Sequence, residues 1–363
     1  MKSASIRFTD VTKRYGDVAA VDRITFTIAA GALVTLLGPS GCGKTTTLRL
    51  IAGLELPSSG AVTIGDRDVT HVPASERDVS MVFQSYALFP HMNVLENVRY
   101  GLVVSKLPRA QADERARVAL QTVGLDGYDE RLPSELSGGQ QQRVAVARAL
   151  VLEPSVLLFD EPLSNLDARL RRQMREEIRE LQQRLSLTVV YVTHDQAEAM
   201  AVSDRIIVMN RATIAQEGSP RELYEEPCDP FVAGFMGDAN RVRGVLTSRN
   251  GTRASVTLGT ASLSLPHRGL PEGDVELSIR PESITLQPPG VTPLAGTVRK
   301  AAYLGGIIEY TVDTGIGELF AISTAVDRPH AVGDGVSIEL ARHGVVLIPP
   351  GEPSDEWATY KPA

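Results

Sequence analysis

The sequence predicts an α/β domain built on a largely parallel sheet, followed by a small all-β domain. Short, apolar, β-branched runs recur along the first two-thirds of the chain and alternate with helix-length polar stretches, as buried parallel strands do. After residue 236, Gly and Pro punctuate short runs that alternate apolar and polar residues, which is typical of antiparallel strands. The length of 363 residues exceeds one ordinary core and favours two domains.

Five apolar runs are expected to form the parallel strands. Each run ends at a polar residue or a glycine cluster, so we expect the ligand-binding edge of the sheet at these carboxyl ends. The runs are residues 33–37, 79–83, 156–159, 189–192 and 205–209.

The stretch from residue 86 to residue 152 is almost wholly helical in pattern, which predicts an inserted helical subdomain. Its clearest helical segments are residues 102–107 and 110–123. A further helix is predicted over residues 169–184, where acidic residues alternate with arginines and apolar residues repeat at helical spacing. We interpret its arginines as a solvated helix face rather than a nucleic-acid contact.

The predicted domains are residues 1–236, the α/β domain, and residues 237–350, a β-rich barrel or sandwich joined by a linker at residues 237–242. The tail, residues 351–363, is expected to be loosely ordered because it is rich in proline and charge. At the corner formed by Arg280, Pro281 and Glu282, we expect a charged turn held by an internal ion pair in preference to a contact with a solute or regulator.

Composition favours a globular protein of the cytoplasm. Hydrophobic residues make up 43% of the chain and charged residues 22%, the balance of a soluble domain. The net charge of −7 is spread over both parts, and neither has the surplus of Lys and Arg that sequence-independent nucleic-acid binding requires. Two cysteines are too few for a disulfide framework, which is compatible with a reducing cytosol. We expect no signal peptide and a mature chain that starts near Met1. We also expect no membrane span, because the uncharged run 24–43 breaks into a strand, a turn, a second strand and a loop.

Residues 38–46, GPSGCGKTT, are predicted to form a loop that binds phosphate groups. The segment fits G-x-x-x-x-G-K-[ST] and lies between an apolar strand and a helix-like run, as that pattern requires. Its glycines let backbone amides approach phosphate oxygens, and the helix N-terminus adds partial positive charge. Lys44 can reach the β- and γ-phosphates of ATP, and the Thr45 hydroxyl can coordinate Mg²⁺. We interpret Cys42 as a small side chain that fills space.

Two adjacent acids, Asp160 and Glu161, end the run VLLFDEP at the same predicted edge of the sheet. Asp160 is expected to hold Mg²⁺ through water, and Glu161 is expected to polarise the attacking water as a general base. Acids at strand ends are usually solvated or cap a helix. The phosphate loop favours the catalytic interpretation here.

The segment LSGGQQQR, residues 136–143, predicts a second anion-binding helix start. Ser137 resembles an N-cap of the helical run that follows, and Gly138 and Gly139 expose amides at the helix start. A simple capped helix would explain Ser137 but not the paired glycines. One chain would not need two separate phosphate-binding helix N-termini for a single site. The second is explained if it completes the binding site of another molecule.

These motifs, in this order, resemble the ATPase subunit of an ATP-binding cassette (ABC) transporter over nearly the whole chain. The discriminating element is LSGGQ, because the phosphate loop and the acid pair occur in many nucleotide enzymes. The resemblance implies a P-loop NTPase fold, and contact between residues 136–140, here called the signature segment, and the γ-phosphate of ATP on a partner cassette. The β-rich C-terminus resembles the oligonucleotide-fold-like (TOBE-like) regulatory domain of importer ATPases.

The resemblance also implies roles for residues outside these motifs. Gln84 resembles the glutamine that senses the metal and the attacking water and links them to the transmembrane subunits. His194 resembles the switch histidine that contacts the γ-phosphate, and Tyr15 resembles the aromatic residue stacked on adenine. Residues 164–167, SNLD, resemble the loop that crosses the dimer. Part of the apolar stretch after Gln84 is implied to receive a short cytoplasmic helix of each transmembrane subunit.

The expected site therefore consists of three groups of residues. The catalytic residues are Glu161, His194, Gln84 and Lys44. The ATP-binding residues are Tyr15, Gly38, Ser40, Gly41, Cys42, Gly43, Lys44, Thr45, Thr46, Ser137, Gly138, Gly139 and Gln140. The residues expected to hold Mg²⁺ are Thr45, Gln84 and Asp160.

The predicted function is ATP hydrolysis that powers an importer of a small charged solute. The segment GFMGDANRV departs from the pattern of sugar importers and is closer to relatives that serve ferric iron, polyamines, sulfate or organophosphonates. The expected partners are a second copy of the chain, two transmembrane permease subunits and, indirectly, a periplasmic or lipid-anchored solute-binding protein, at the cytoplasmic face of the inner membrane. Nucleic acid is not an expected partner. Two alternatives stay open, a soluble ABC-type ATPase acting on nucleic acid or the ribosome, and the ATPase of a sugar importer.

Overall fold

The structure is a computed structural model that describes residues 3–341 and 343–349. The chain divides after Pro220 into two compact units, each with its own hydrophobic core. The predicted domain limits at residues 236 and 350 stay predictions. The predicted tail, residues 351–363, lies outside the described residues.

The strands of the first unit form two sheets. They are β1 (Ile6–Tyr15), β2 (Val18–Ile28), β3 (Leu33–Leu37), β4 (Ser59–Ile64), β5 (Arg67–Asp68), β6 (Val79–Val82), β7 (Val156–Asp160), β8 (Thr188–Thr193), β9 (Arg205–Asn210) and β10 (Thr213–Gly218). The smaller sheet is antiparallel, with the order β2-β1-β4-β5. The larger sheet has the order β10-β9-β3-β8-β7-β6, and its strands run parallel except for β10.

The helices of this unit follow the strands as βα connections or form the inserted subdomain. They are α1 (Lys44–Ala52), α2 (Val94–Val104), α3 (Arg109–Thr122), α4 (Gly138–Leu150), α5 (Ala168–Leu185) and α6 (Gln196–Val202), with 3-10 turns at Ala74–Glu76 and Pro133–Glu135. No helix in residues 3–341 or 343–349 is both long and apolar enough to cross a bilayer.

The central strands β3, β7 and β8 are buried along nearly their whole length, which is why most of their residues are apolar. Successive residues of a strand point to opposite faces. In β8, Val190 and Val192 pack with α1 and the antiparallel sheet, whereas Val189 and Tyr191 pack with α4 and α5. The predicted α/β domain with a largely parallel sheet is confirmed.

Helices α2, α3 and α4 share a separate core, so the predicted helical subdomain is present. Its buried members include Val98 and Leu102 of α2, Ala116 and Leu120 of α3, and Val144 of α4. The helix expected at residues 102–107 is placed wrongly, because α2 ends at Val104. Asn93 caps its N-terminus with a reciprocal bond to Glu96, and Lys106 has a left-handed backbone that ends the helical course.

The second unit is all-β apart from two short helices at its start. Its elements are α7 (Pro220–Glu225), α8 (Pro230–Phe235), β11 (Asn240–Asn250), β12 (Arg253–Leu258), β13 (Ala261–Pro266), β14 (Gly273–Ile279), β15 (Ile284–Gln287), β16 (Ala295–Tyr303), β17 (Ile308–Thr314), β18 (Gly317–Ser323), β19 (Gly335–Leu340) and β20 (Val345–Ile348), with a 3-10 turn at Pro281–Ser283. Two antiparallel sheets, β13-β12-β11-β14-β20 and β15-β19-β16-β17-β18, enclose one core. The predicted all-β domain is confirmed.

Arg280 corrects the expectation of an ion-paired turn in this unit. Its side chain is fully buried and donates hydrogen bonds to the carbonyl oxygens of Tyr224 (2.6 Å) and Ala233 (2.8 Å). The guanidinium also lies 4.1 Å from the centroid of the Tyr224 ring. Burial lowers its pKa to about 10. The arginine therefore fastens α7 and α8 to the corner after β14 through backbone acceptors.

Candidate nucleotide-binding site

Strand register brings the predicted catalytic segments to one edge of the parallel sheet. Leu37 pairs with Thr193, and Asp160 pairs with Val192. Val82 pairs with Phe159 on the other side of β7. The residues that follow these strands therefore start at nearly the same height, as carboxyl ends of parallel strands do.

The phosphate loop, residues 38–46, joins β3 to the start of α1. Gly43 is the N-cap of α1 and has φ 105°, and a Cβ there would lie 2.4 Å from the carbonyl oxygen of Ala20. Only glycine fits that position. No side chain caps this end of α1, so its first-turn N–H groups are available to an anion. Ser40 is exposed in the loop, and Thr46 is half-buried in the first turn of the helix.

The ammonium group of Lys44 lies inside the loop. It donates hydrogen bonds to the carbonyl oxygens of Gly38 (2.7 Å) and Pro39 (2.9 Å), and the side chain is buried. The Sγ atom of Cys42 lies 3.9 Å from the Lys44 Nζ atom. Burial raises the pKa of the Cys42 thiol, which keeps it neutral and in the space-filling role that the sequence suggests.

The acid pair lies beside the phosphate loop. The Thr45 hydroxyl donates to Asp160 Oδ1 at 3.4 Å. Burial, together with the charge of Glu161, raises the pKa of Asp160. Glu161 has a left-handed backbone (φ 46°), and its Oε2 atom lies 3.3 Å from Nδ1 of His194. The structure thus brings Thr45, Asp160, Glu161 and His194 together from three elements.

A buried carboxylate that the sequence analysis missed supports the His194 turn. Glu198 is 4% exposed and accepts hydrogen bonds from the hydroxyls of Tyr191 and Thr193. Its own N–H donates to Asp195, which is the N-cap of α6. These bonds fix the residues on both sides of His194. The signal was present, since an acid three residues after a capping Asp resembles a capping box.

Gln84 contacts the segment that follows Glu161. The strand expected to run to Phe83 ends at Val82, so Gln84 lies in the turn beyond it and is exposed. The side-chain amide of Gln84 donates to Ser164 Oγ at 3.1 Å. The side chain of Asn165 donates to the main-chain carbonyl oxygen of Gln84 at 3.0 Å. The Ser164 hydroxyl in turn donates to the Glu161 carbonyl oxygen at 3.0 Å.

The signature segment begins α4 with a capping box. The Gln140 N–H donates to Ser137 Oγ at 3.4 Å, and the Ser137 N–H donates to Gln140 Oε1 at 2.9 Å. Close packing against leucine side chains also explains why Gly138 and Gly139 are glycines. A Cβ on Gly139 would lie 3.0 Å from Leu170, and one on Gly138 would lie 3.1 Å from a leucine just before α5.

The signature segment and the phosphate loop are not brought together within one chain. Across residues 3–341 and 343–349, no hydrogen bond or ion pair joins residues 137–140 to the loop. Tyr15 lies at the end of β1 and is 48% exposed. Lys13 sits 4.8 Å from its ring centroid, and the ring is accessible for stacking on a base.

Comparisons with known proteins identify the family of the chain. The family described as ABC transporter matches residues 21–164, and the TOBE domain family matches residues 277–348. An Fe(3+) ions import ATP-binding protein of Rhizobium meliloti (strain 1021) is 57% identical over 344 residues, which cover 95% of this chain and 98% of the relative. The chain belongs to the ATP-binding proteins of ABC transporters.

Further relatives and a solved structure extend the comparison. An Fe(3+) ions import ATP-binding protein of Escherichia coli (strain K12) is 47% identical, over 94% of this chain and 97% of the relative. A dimeric ATP-binding cassette solved in a post-hydrolysis state with ADP and phosphate is 31% identical, with a TM-score of 0.53, and covers 60% of this chain and 99% of its own. The predicted P-loop NTPase fold is confirmed.

The ABC family implies Mg²⁺ beside ATP, and the residues present fit that ion. In the described part of the chain, no group of three or more His, Cys, Asp or Glu could hold a metal by itself. Magnesium is held in such sites by one or two protein oxygens, by water and by the phosphates of the nucleotide. The Thr45 hydroxyl and the Asp160 carboxylate are hard oxygen donors at the phosphate loop, so they suit this mode of binding.

Proposed function

We propose that this ABC ATPase hydrolyses ATP to power the import of ferric iron. The observation that carries the proposal is the 57% identity to an Fe(3+) ions import ATP-binding protein over 95% of the chain, so the likeness includes the β-rich unit as well as the cassette. Ferric iron is also among the charged solutes that the segment near residue 237 suggests. The iron is the cargo of the transporter, and the residues described above act on ATP.

The site residues have the following proposed roles. Lys44 and the amides of the phosphate loop bind the β- and γ-phosphates, and Tyr15 stacks on adenine. Thr45, Asp160 and Gln84 hold Mg²⁺, which neutralises charge on the phosphate oxygens when bound. Glu161 accepts the proton of the attacking water, and His194 at 3.3 Å from Glu161 orients that carboxylate and contacts the γ-phosphate.

A second copy of the chain completes each site in this proposal. Residues 137–140 are separated from the phosphate loop of their own chain, so they do not contact the ATP bound there. An anion-binding helix N-terminus at this position is therefore expected to bind the phosphate of ATP held by another chain. In the proposed dimer, the signature segment of one chain faces the ATP on the phosphate loop of the other. The related cassette with ADP and phosphate is dimeric. Closure of the two chains around ATP, and reopening after hydrolysis, would drive alternating access in the membrane subunits.

The other proposed partners are two transmembrane permease subunits, with a solute-binding protein acting through them. A surface for a short permease helix is supported by exposed apolar side chains in and before α2, namely Phe83, Tyr100, Val103 and Val104. Apolar side chains at helical spacing suit the helix-in-groove mode. We infer a peripheral position at the cytoplasmic face of the inner membrane.

Reconstitution of the complex tests the proposed cargo. The full chain is assembled with its co-encoded membrane subunits in vesicles. The solute-binding protein, here called the receptor, is then loaded with Fe³⁺ and added. We expect the iron-loaded receptor to stimulate ATP hydrolysis, and the same receptor without iron to stimulate it much less. The control complex carries Glu161→Gln and reports contaminating ATPases. If only a sugar-loaded receptor stimulated hydrolysis, the assignment of ferric iron as the cargo would be wrong.

A further inference from the structure

Arg148 lies in the last turn of α4, the helix that begins within the signature segment. The helix has 13 residues, which corresponds to a rigid rod of about 20 Å. Its N-terminal end carries Ser137, and its C-terminal end reaches the segment that follows Gln84. One helix therefore touches two of the segments that the proposed function requires.

Two hydrogen bonds make the contact at the C-terminal end. The Arg148 guanidinium donates from Nη1 to the Ala87 carbonyl oxygen at 2.7 Å and from Nη2 to the Tyr86 carbonyl oxygen at 2.8 Å. It also lies 5.7 Å from the centroid of the Phe89 ring. Burial lowers the pKa of Arg148. Among the described residues it forms no ion pair with a carboxylate, so backbone carbonyls are its acceptors.

The two carbonyls belong to a strained turn. Tyr86 and Ala87 both have left-handed backbones, with φ 59° and 47°. Residues with a Cβ adopt this conformation unfavourably, and two in succession persist only where the surroundings hold them. The forked donors of Arg148 supply that restraint.

The same turn is also tied to the catalytic edge of the sheet. Gln84, two residues before Tyr86, is hydrogen bonded to Ser164 and Asn165, and Ser164 is bonded to the backbone of Glu161. The turn thus has one attachment to the general base and one attachment, through Arg148, to the signature helix.

We propose that Arg148 is a positioning residue that couples the signature segment to Gln84. The inference rests on the proposed function, in which Ser137 meets the ATP of the partner chain while Gln84 meets the ATP of its own chain. Engagement of Ser137 by the partner's ATP shifts α4 as a rigid body, and Arg148 transmits that shift to the turn that holds Gln84. Each ATP site thereby senses whether the other is occupied.

A double-mutant cycle on the full-length chain tests this coupling. Arg148→Lys keeps the charge but loses the fork that binds two carbonyls at once. We expect it to lower kcat about ten-fold in the wild-type background and less than about two-fold in the Gln84→Ala background. Within each background, Arg148→Lys should change the binding of a fluorescent ATP analogue to the phosphate loop by less than about two-fold, because Lys44 and the loop are untouched. The Hill coefficient for ATP should fall towards one in Arg148→Lys.

The matched control is Arg115→Lys, on the exposed face of α3, where the side chain is 55% exposed. We expect its kcat and Hill coefficient to match wild type. Equal fold losses for Arg148→Lys in both backgrounds would overturn the coupling, since a general packing defect multiplies with any other. Unchanged kcat and Hill coefficient in Arg148→Lys would overturn it as well. Failure of the proposed function is separate, since wild type itself would then show no ATP hydrolysis above the Glu161→Gln background.

Discussion

Glu161 has a backbone conformation that costs an L-residue about 1–2 kcal/mol, and the surrounding bonds maintain it. Its N–H donates to the Val192 carbonyl oxygen at 3.0 Å, and its carbonyl oxygen accepts from Ser164. The conformation places the carboxylate beside His194 instead of continuing β7. Strained residues that are held in this way concentrate at functional sites, which supports Glu161 as the proposed base.

Replacement of Glu161 by Gln tests the base directly. The amide is nearly the same size but cannot accept the proton of the attacking water, so ATP binding should persist while hydrolysis falls at least about 100-fold. Phosphate release and nucleotide binding are measured on the same preparation. Glu153→Gln, at an exposed site where the side chain is 62% accessible, is the control and should hydrolyse ATP normally. Hydrolysis at the wild-type rate in Glu161→Gln would disprove the assignment.

Glu198 predicts a pH-dependent stability difference. Burial raises its pKa above the usual value of 4.5, although the hydroxyls of Thr193 and Tyr191 oppose that shift. An acid whose folded pKa is raised contributes stability below its unfolded pKa, and this contribution is lost as the pH rises through the folded pKa. Glu198→Gln is neutral at every pH. We therefore expect its free energy of unfolding, relative to that of wild type, to become larger as the pH rises above about 4.5.

Urea denaturation across that pH series provides the measurement for Glu198. The exposed Glu153→Gln serves again as the control, and its difference from wild type should be much flatter with pH. A relative stability of Glu198→Gln that falls with rising pH would show that the buried carboxylate is stabilised as an anion.

At the scale of elements, the start of α1 depends on glycine at one position. Gly43 and Gly41 both have left-handed backbones, but a Cβ would meet Ala20 at 2.4 Å in the first case and nothing within 4 Å in the second. Gly41→Ala should destabilise the protein by about 1–2 kcal/mol through backbone strain alone. Gly43→Ala should cost at least about 1 kcal/mol more, because β2 must move away. Urea denaturation compares the two variants, and equal losses would contradict the close contact with β2.

The sequence predicted the elements that are buried on both sides. The run 33–37 coincides with β3, because a strand covered on both faces is apolar at nearly every position and can be recognised without an alternating pattern. The antiparallel sheet of β1, β2, β4 and β5 was harder to see. Register shifts at Phe8, Val11 and Lys13 interrupt the alternation of β1, so its pattern has neither a strand period nor a helical one.

The candidate site shows the same contrast between local pattern and distant contact. Lys44, Asp160 and His194 could be proposed from the sequence because they begin a helix, end a strand and follow a strand, respectively. Arg148 was not, since its acceptors are main-chain oxygens 61 and 62 residues away. A backbone carbonyl leaves no trace in the sequence, so only the fold reveals that contact.

At the scale of the whole molecule, the proposed composite site predicts that two inactive variants rescue each other. Lys44→Ala removes the ammonium group that we propose binds phosphate, and Ser137→Arg blocks the signature segment with a bulky side chain. In a two-fold symmetric dimer both sites of either variant are defective. In a mixed dimer, one site pairs the intact phosphate loop of the Ser137 variant with the intact signature segment of the Lys44 variant.

Equal mixing should therefore restore activity that neither variant has alone. Half of randomly formed dimers are mixed and each has one intact site of two, so the expected rate is about a quarter of wild type if the sites act independently, and less if they are coupled. Phosphate release is measured before and after the two preparations exchange subunits, and each variant mixed with itself is the control.

The Arg148→Lys substitution in the chain that supplies the intact signature segment should leave this rescue largely in place, because the Gln84 of that chain belongs to the inactive site. The same substitution in the other chain should reduce it, since there Arg148 restrains the turn that carries the Gln84 of the intact site. A loss that is equal for both placements would contradict a coupling that runs through Gln84, and absence of rescue in every mixture would contradict the composite site itself.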